Sequence, residues 1–161
     1  GLSGVDANLI QAKKRNIENV NYGYVGDITH VEKNILQKMI SSDLCPVICS
    51  LTHDGNGQIL NTNADTIAAE LSVALTDLYD ISLKYCSETP GVLEKLGNYD
   101  SLIKTIDSTS YKKLKQKNII SDGMIPKLEN CFHALNNGVD KVFVGSIDIL
   151  NSEEKSTQLK I

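Results

Sequence analysis

Apolar residues along the chain follow two kinds of spacing, and each kind predicts one kind of element. Buried strands are predicted at 44–49, 80–86 and 141–145, where apolar residues form compact runs. Helices are predicted to begin near Val31, Ile67 and Met124, where apolar positions recur three and four residues apart. Because strands and amphipathic helices alternate, the pattern predicts an α/β fold with a mainly parallel sheet covered by helices on both faces, a three-layer α/β/α sandwich.

Turn-forming residues mark two hairpins within this alternation. The stretch 8–31 has short β-branched runs around Gly23 and Gly26, which predicts a β-hairpin or a bent pair of strands. The stretch 53–57 (HDGNG) is dense in turn residues, and it separates the strand at 44–49 from a short apolar run. Its two glycines are therefore predicted to form a turn and not a phosphate-binding loop.

Composition narrows the classes of partner. The chain has 161 residues, of which 41% are hydrophobic, so it can bury one core and is predicted to form a single domain over 1–161. Its net charge of -4 comes from interspersed acidic and basic residues. Such a chain has no sustained positive field, which argues against nucleic acid or an anionic membrane as partner and favours a small molecule.

The chain shows no apolar run of the roughly 20 residues that span a bilayer and no secretory signal, so a cytoplasmic location is expected. It starts with Gly-Leu-Ser-Gly and no initiator Met, which suggests a start within a fold. The four cysteines are predicted to be buried reduced thiols, because they have apolar neighbours and no CxxC spacing. No protein-bound metal is expected.

Two amides and a carboxylate precede a predicted helix in the segment 61–65 (NTNAD). In an open α/β sheet, ligands bind beyond the carboxyl ends of the strands, and the free N–H groups of a helix start favour anions. Asn61 and Asn63 can therefore orient an anionic substrate without adding charge. Taken singly, Asn63 or Asp65 is more often a helix cap, and both interpretations stay open on the sequence alone.

A second candidate segment is the glycine-containing helix entrance at 121–127 (SDGMIPK), which carries Lys127. A cation near the start of a helix opposes the helix dipole, which costs about 0.3–1 kcal/mol unless an anion lies nearby. Lys127 therefore either faces a bound phosphate or extends into solvent, as a lone lysine usually does. Spacing alone does not decide between the two.

These two segments together resemble the amino-acid-kinase family, and within it the acetylglutamate kinases. The stretch 61–69 (NTNADTIAA) is similar to the family's N-x-N-A-D-x-x-A-A signature, and 123–128 (GMIPKL) is similar to its G-M-x-x-K segment. Supporting matches lie at 24–28, 90–93 and 136–139, so the resemblance covers nearly the whole chain. It implies the carbamate-kinase-like fold, and ATP-dependent phosphorylation of the γ-carboxylate of N-acetylglutamate, or of a related N-acylglutamate such as N-succinylglutamate, in arginine biosynthesis.

The resemblance also implies roles for individual residues. Asn61 would contact the acylglutamate with Asn63 close by, Asp65 would hold catalytic lysines in place, and Lys127 would stabilise the transferred phosphoryl group. The nucleotide would be bound by Glu88, Thr89, Pro90, Gly91, Val92, Leu93, Ile119, Ile120, Ser121, Gly123 and Met124. Mg²⁺ would arrive on ATP, bridging its phosphates.

The family pattern is not matched everywhere. Its S/T-D-V segment appears here as Ser87-Glu88-Thr89, and its closing G-T appears as Ser156-Thr157. Its first lysine and its glycine pair belong to an amino-terminal half that this chain does not include, so the chain alone is expected to lack full activity. The intact protein is expected to form a homodimer or a higher homo-oligomer, as is common in the family.

Two alternative functions remain on the sequence. One is another kinase of the same family, acting on carbamate, aspartate or a nucleotide, since the fold and the nucleotide-binding half are shared. The other is a regulatory module that binds nucleotide without catalysis, which the altered loop at Glu88 and the missing half suggest.

Overall fold

The computed structural model of the protein describes residues 1–120 and 123–161, and the chain divides into two compact units. The first unit is Gly1–Leu75 and the second is Thr76–Ile161. Each unit has a four-stranded sheet of its own.

The first unit has four strands and two helices. They are β1 (Ile10–Lys14), β2 (Gly26–Val31), α1 (Lys33–Ser41), β3 (Leu51–His53), β4 (Ile59–Asn61) and α2 (Ala64–Ala74). The strand order is β2-β1-β3-β4, with β1 and β3 parallel and the two outer pairs antiparallel. The core of the unit contains Leu9 and Ile10 at the start of β1, with Leu36 of α1 and Ile67 of α2.

In its described residues, the second unit also has four strands and two helices. They are β5 (Ser82–Cys86), β6 (Thr105–Ile106), α3 (Ser108–Gln116), α4 (Met124–Asn136), β7 (Lys141–Gly145) and β8 (Ser156–Leu159). The strand order is β5-β7-β8-β6, with β5 parallel to β7, β6 parallel to β8, and β7 antiparallel to β8. The fully buried Val142, Val144 and Leu128 place the core of this unit between β7 and α4.

The predicted α/β class is confirmed, but the sheets are mixed and not mainly parallel. The pairs β1–β2, β3–β4 and β7–β8 are antiparallel. The physical reason is the connection: the short turn at 54–58 joins β3 to β4 directly, and the 3-10 turn Ile147–Leu150 is the one element between β7 and β8. A parallel pair needs a longer crossover, usually a helix.

One predicted strand, at 44–49, is wrong. Leu44 and Val47 are 61% and 66% exposed, and the regular strand β3 starts only at Leu51. Ile48 makes a single isolated bridge, to Leu2. Pro46 lies in the middle of the run, and a proline has no N–H with which to continue a ladder.

The prediction of buried cysteines holds for Cys131 alone. Cys45 and Cys49 are exposed because the apolar run around them is itself exposed. Cys86 is exposed because β5 alternates, with Leu83 and Tyr85 buried and its end residues outward.

Among the described residues, no group of three or more His, Cys, Asp or Glu could hold a metal ion. No helix in the described part of the chain is long and apolar enough to cross a membrane.

Candidate functional site

The first candidate segment lies where β4 ends and α2 begins. Asn61 is the last residue of β4, Asn63 is the N-cap of α2, and Asp65 lies in its first turn. The Asn63 Oδ1 atom accepts hydrogen bonds from the backbone N–H of Asp65 (2.8 Å) and of Thr66 (3.2 Å). Capping is therefore one role of Asn63, and its side-chain NH₂ group is the part that can donate to a ligand.

A buried threonine between the two asparagines fixes this segment. Thr62 is 2% exposed, its Oγ1 donates to the carbonyl of Gly26 (3.1 Å), and it lies 2.9 Å from the Oγ1 of Thr52. A Cβ on Gly26 would stand 2.8 Å from the Thr62 Oγ1, so the contact requires glycine there. Because neighbouring side chains alternate in an extended segment, Thr62 points inward while Asn61 and Asn63 are exposed.

The backbone brings the motif at 24–28 alongside Asn61. The N–H of Asn61 donates to the carbonyl of Tyr24 (2.8 Å), and Val25 forms a parallel bridge with Asn61. Two stretches that the sequence singled out separately are thus neighbours within the first unit.

The second candidate cluster is a small apolar cavity after β5. It has a volume of about 110 Å³ and is lined by Gly91, Val92, Leu93, Leu96, Ile119, Ile120 and Met124. Six of these seven residues were predicted to bind nucleotide, and Leu96 was not. Ligand pockets usually measure about 300–1,000 Å³, so this cavity suits only one part of a nucleotide.

The other predicted nucleotide-binding residues do not line this cavity. Glu88 is exposed, and Thr89 and Pro90 are half-buried in the loop that leads to Gly91. The Thr89 Oγ1 donates to the carbonyl of Gly91 (2.9 Å), so this hydroxyl braces the loop. Gly123 is exposed at the N-cap of α4, and Ser121 lies outside the described residues.

Thr157 of β8 fixes the loop from inside the unit. It is fully buried, its Oγ1 accepts from the N–H of Val92 (2.8 Å), and it donates to the carbonyl of Ile103 (2.7 Å). A Cβ on Gly91 would stand 2.5 Å from the same Oγ1, so the loop passes Thr157 as closely as a glycine allows. No role was predicted for Thr157, although the family's closing G-T falls at this position.

Lys127 is the fourth residue of α4, and its ammonium packs on an aromatic ring. Its Nζ is 4.8 Å from the centroid of the Tyr85 ring, and Tyr85 is only 4% exposed. The sequence left open whether Lys127 faces a bound phosphate or extends into solvent. Contact with a buried ring is at odds with a side chain that simply extends into solvent. Lys127 is half-buried near the start of α4, and an ammonium in that place can pair with a bound anion.

Comparison with known proteins identifies the protein family. The model of the amino acid kinase family matches residues 1–146, and the chain belongs to the amino acid kinase family. It is similar to the acetylglutamate kinase of Cytophaga hutchinsonii, with 43% identity over an alignment that covers 100% of this chain and 62% of that protein. Other curated relatives of similar identity carry the same name. The chain thus spans about 62% of the length of these relatives.

Solved structures share the fold of this chain. The protein smu.665 from Streptococcus mutans is 31% identical, with a TM-score of 0.74 over 86% of this chain and 53% of that chain. A carbamate kinase from Giardia gives a TM-score of 0.63 at 13% identity, over 94% of this chain and 60% of its own, which shows a shared fold alone.

Proposed function

We propose that the full-length protein is an acetylglutamate kinase, which transfers the γ-phosphoryl group of ATP to the γ-carboxylate of N-acetylglutamate or of a related N-acylglutamate such as N-succinylglutamate. The observation that carries this proposal is the 43% identity to an acetylglutamate kinase along the whole chain. The product would be an acyl phosphate, which fits a step of arginine biosynthesis.

The acceptor side of the site is assigned to the start of α2. Asn61 and Asn63 donate hydrogen bonds from their amides to the acylglutamate, in keeping with their exposure on either side of the buried Thr62. Asp65 holds catalytic lysines in place and is not a base. No base is needed, because the acceptor carboxylate is already ionised at neutral pH.

The transferred phosphoryl group is assigned to Lys127. Phosphoryl transfer relies on alignment and on neutralisation of charge. At an effective dielectric near 20, an ammonium about 4 Å from a phosphoryl oxygen gains about 4 kcal/mol per unit charge. Since about 1.4 kcal/mol corresponds to tenfold in rate, this one contact is worth roughly a thousandfold.

The adenine nucleotide is assigned to the cavity and loop after β5. The apolar lining from Val92, Ile120 and Met124 suits one edge of a purine ring, and the loop from Glu88 to Leu93 follows the ribose and phosphates. Mg²⁺ is carried by ATP and neutralises part of the phosphate charge.

A substrate panel on the full-length protein tests the proposal. ADP release is measured with MgATP and, separately, N-acetylglutamate, N-succinylglutamate, carbamate and aspartate. Hydroxylamine in the mixture should trap the acyl phosphate as a hydroxamate. We expect turnover and hydroxamate with an N-acylglutamate, and Lys127→Met should lower kcat much more than it raises the KM for ATP. Turnover with carbamate or aspartate alone would assign another kinase of the family, and ATP binding without turnover on any acceptor would assign a regulatory module.

A further inference from the structure

We propose that Tyr85 is a positioning residue for Lys127: the face of its buried ring orients the ammonium toward the transferred phosphoryl group. This inference rests on the proposed function, because that function is what gives Lys127 its role. Neither residue needs the other for secondary structure, since Tyr85 is on β5 and Lys127 is on α4.

The geometry is that of a cation–π contact. The Lys127 Nζ lies 4.8 Å from the Tyr85 ring centroid, inside the limit of about 6 Å for such contacts. Tyr85 is 4% exposed, and its backbone is paired in register with Val144, which is fully buried. The ring is therefore the fixed partner, and the lysine side chain is the partner whose freedom is restricted.

An aromatic face can orient an ammonium without placing a negative charge beside it. A ring quadrupole attracts the cation and leaves the net charge in place. An ammonium has three N–H donors, so one side can rest on the ring while the other donates to phosphoryl oxygens. Holding the long lysine stem before substrate arrives also removes an entropy cost from the reaction.

The lysine next to Tyr85 provides a contrast on the same strand. The Nζ of Lys84 is 2.9 Å from the Oε1 of Glu153 and donates to the carbonyl of Ile149 (3.0 Å). Because side chains alternate along a strand, Lys84 and Tyr85 point to opposite faces of β5. The pair Lys84–Glu153 therefore offers a matched control, since its loss disturbs β5 without touching the face that holds Lys127.

The contact itself is tested without reference to activity. In the full-length protein with ¹³C-labelled lysine, the ε-CH₂ protons of Lys127 should be shifted upfield by the ring current of Tyr85. Lys127→Arg supplies the assignment. The shift should persist in Tyr85→Phe and disappear in Tyr85→Leu. An unshifted Lys127 signal in the unsubstituted protein would overturn the proposal at this stage.

The positioning role is tested by steady-state kinetics. Tyr85→Leu should lower kcat roughly 2- to 30-fold, the range that corresponds to a partly desolvated cation–π contact, with KM for both substrates nearly unchanged. Tyr85→Phe should restore kcat to within about twofold, because phenylalanine keeps the ring. In a Lys127→Met background, Tyr85→Leu should cause no further loss, since a residue that acts through Lys127 has nothing left to position. Glu153→Gln should leave kcat unchanged.

The remaining outcomes separate a failure of the positioning role from a failure of the proposed function. An unchanged kcat in Tyr85→Leu, an equal loss in Tyr85→Phe, or a further loss in the Lys127→Met background would refute the positioning role while leaving the proposed function intact. A full-length protein without any turnover would refute the proposed function, and the positioning role with it. Should Tyr85→Leu not fold, Tyr85→Met removes the ring but leaves a longer, flexible side chain that adapts to the space, and it is judged by the same criteria.

Discussion

Removing the hydroxyl of Thr157 should loosen the predicted nucleotide loop at its inner end. Thr157→Val keeps the size and shape of the side chain but leaves the buried N–H of Val92 and the carbonyl of Ile103 without the bonds they now make at 2.8 and 2.7 Å. A buried backbone group left unpaired costs about 1–3 kcal/mol. Val92 is buried, whereas Ile103 is half-buried, so its carbonyl should cost less. We therefore expect the free energy of unfolding to fall by about 2–4 kcal/mol.

Thr157→Ser is the matched control, because it keeps the hydroxyl and removes only a buried methyl group. Its expected cost is about 1 kcal/mol. Urea denaturation of the full-length protein gives both values, and calorimetry with MgATP should show weaker binding for Thr157→Val than for Thr157→Ser. If the two variants lose the same stability and bind ATP equally well, the hydroxyl does not hold the loop and the reasoning fails.

Three further predictions concern separate sites. Asn63→Ala should lower the free energy of unfolding, measured by urea denaturation, by about 1 kcal/mol, because the α2 cap is lost. Asn63→Asp should keep this stability, since aspartate also caps, but should raise the KM for the anionic acceptor. An unchanged KM in Asn63→Asp would contradict the prediction. The carboxylate of Asp107 accepts from the N–H and Oγ of Ser110, which lowers the pKa of Asp107 below its ordinary 3.8. The stability that this carboxylate contributes is therefore present at pH values above the pKa of Asp107 in the unfolded chain, and it is lost as the pH falls through the lower pKa of the folded protein. In Ser110→Ala, an NMR titration should show a higher pKa for Asp107. Gly91→Ala should cost about 1–3 kcal/mol, because its Cβ would meet Thr157, while Gly123→Ala, with open space around the new Cβ, should leave the denaturation midpoint nearly unchanged.

Local periodicity was enough to predict most elements of the fold. The helix begun at Met124 and the strand at 141–145 appear where their apolar spacing placed them, as α4 and β7. The run at 44–49 has equally apolar residues but is not a strand, because Pro46 and the exposure of its neighbours override its composition. The mixed sheets depend on which strands are joined by short turns, which periodicity does not encode.

The candidate site was predictable only where its residues carry a motif. Asn61, Asn63 and Lys127 could be named from the sequence because their chemistry and spacing are unusual there. Thr62 and Thr157 could not, since a buried threonine reveals its role only through the backbone groups it contacts in distant strands. The ring beneath Lys127 was missed for the same reason.

A structure of the full-length protein with Mg²⁺, a non-hydrolysable ATP analogue and N-acetylglutamate tests the central claim most directly. The account predicts the Nζ of Lys127 within hydrogen-bonding distance of the γ-phosphoryl oxygens, and the amides of Asn61 and Asn63 on the acylglutamate. A nucleotide bound away from Lys127, or an acylglutamate that does not touch Asn61 and Asn63, would contradict it.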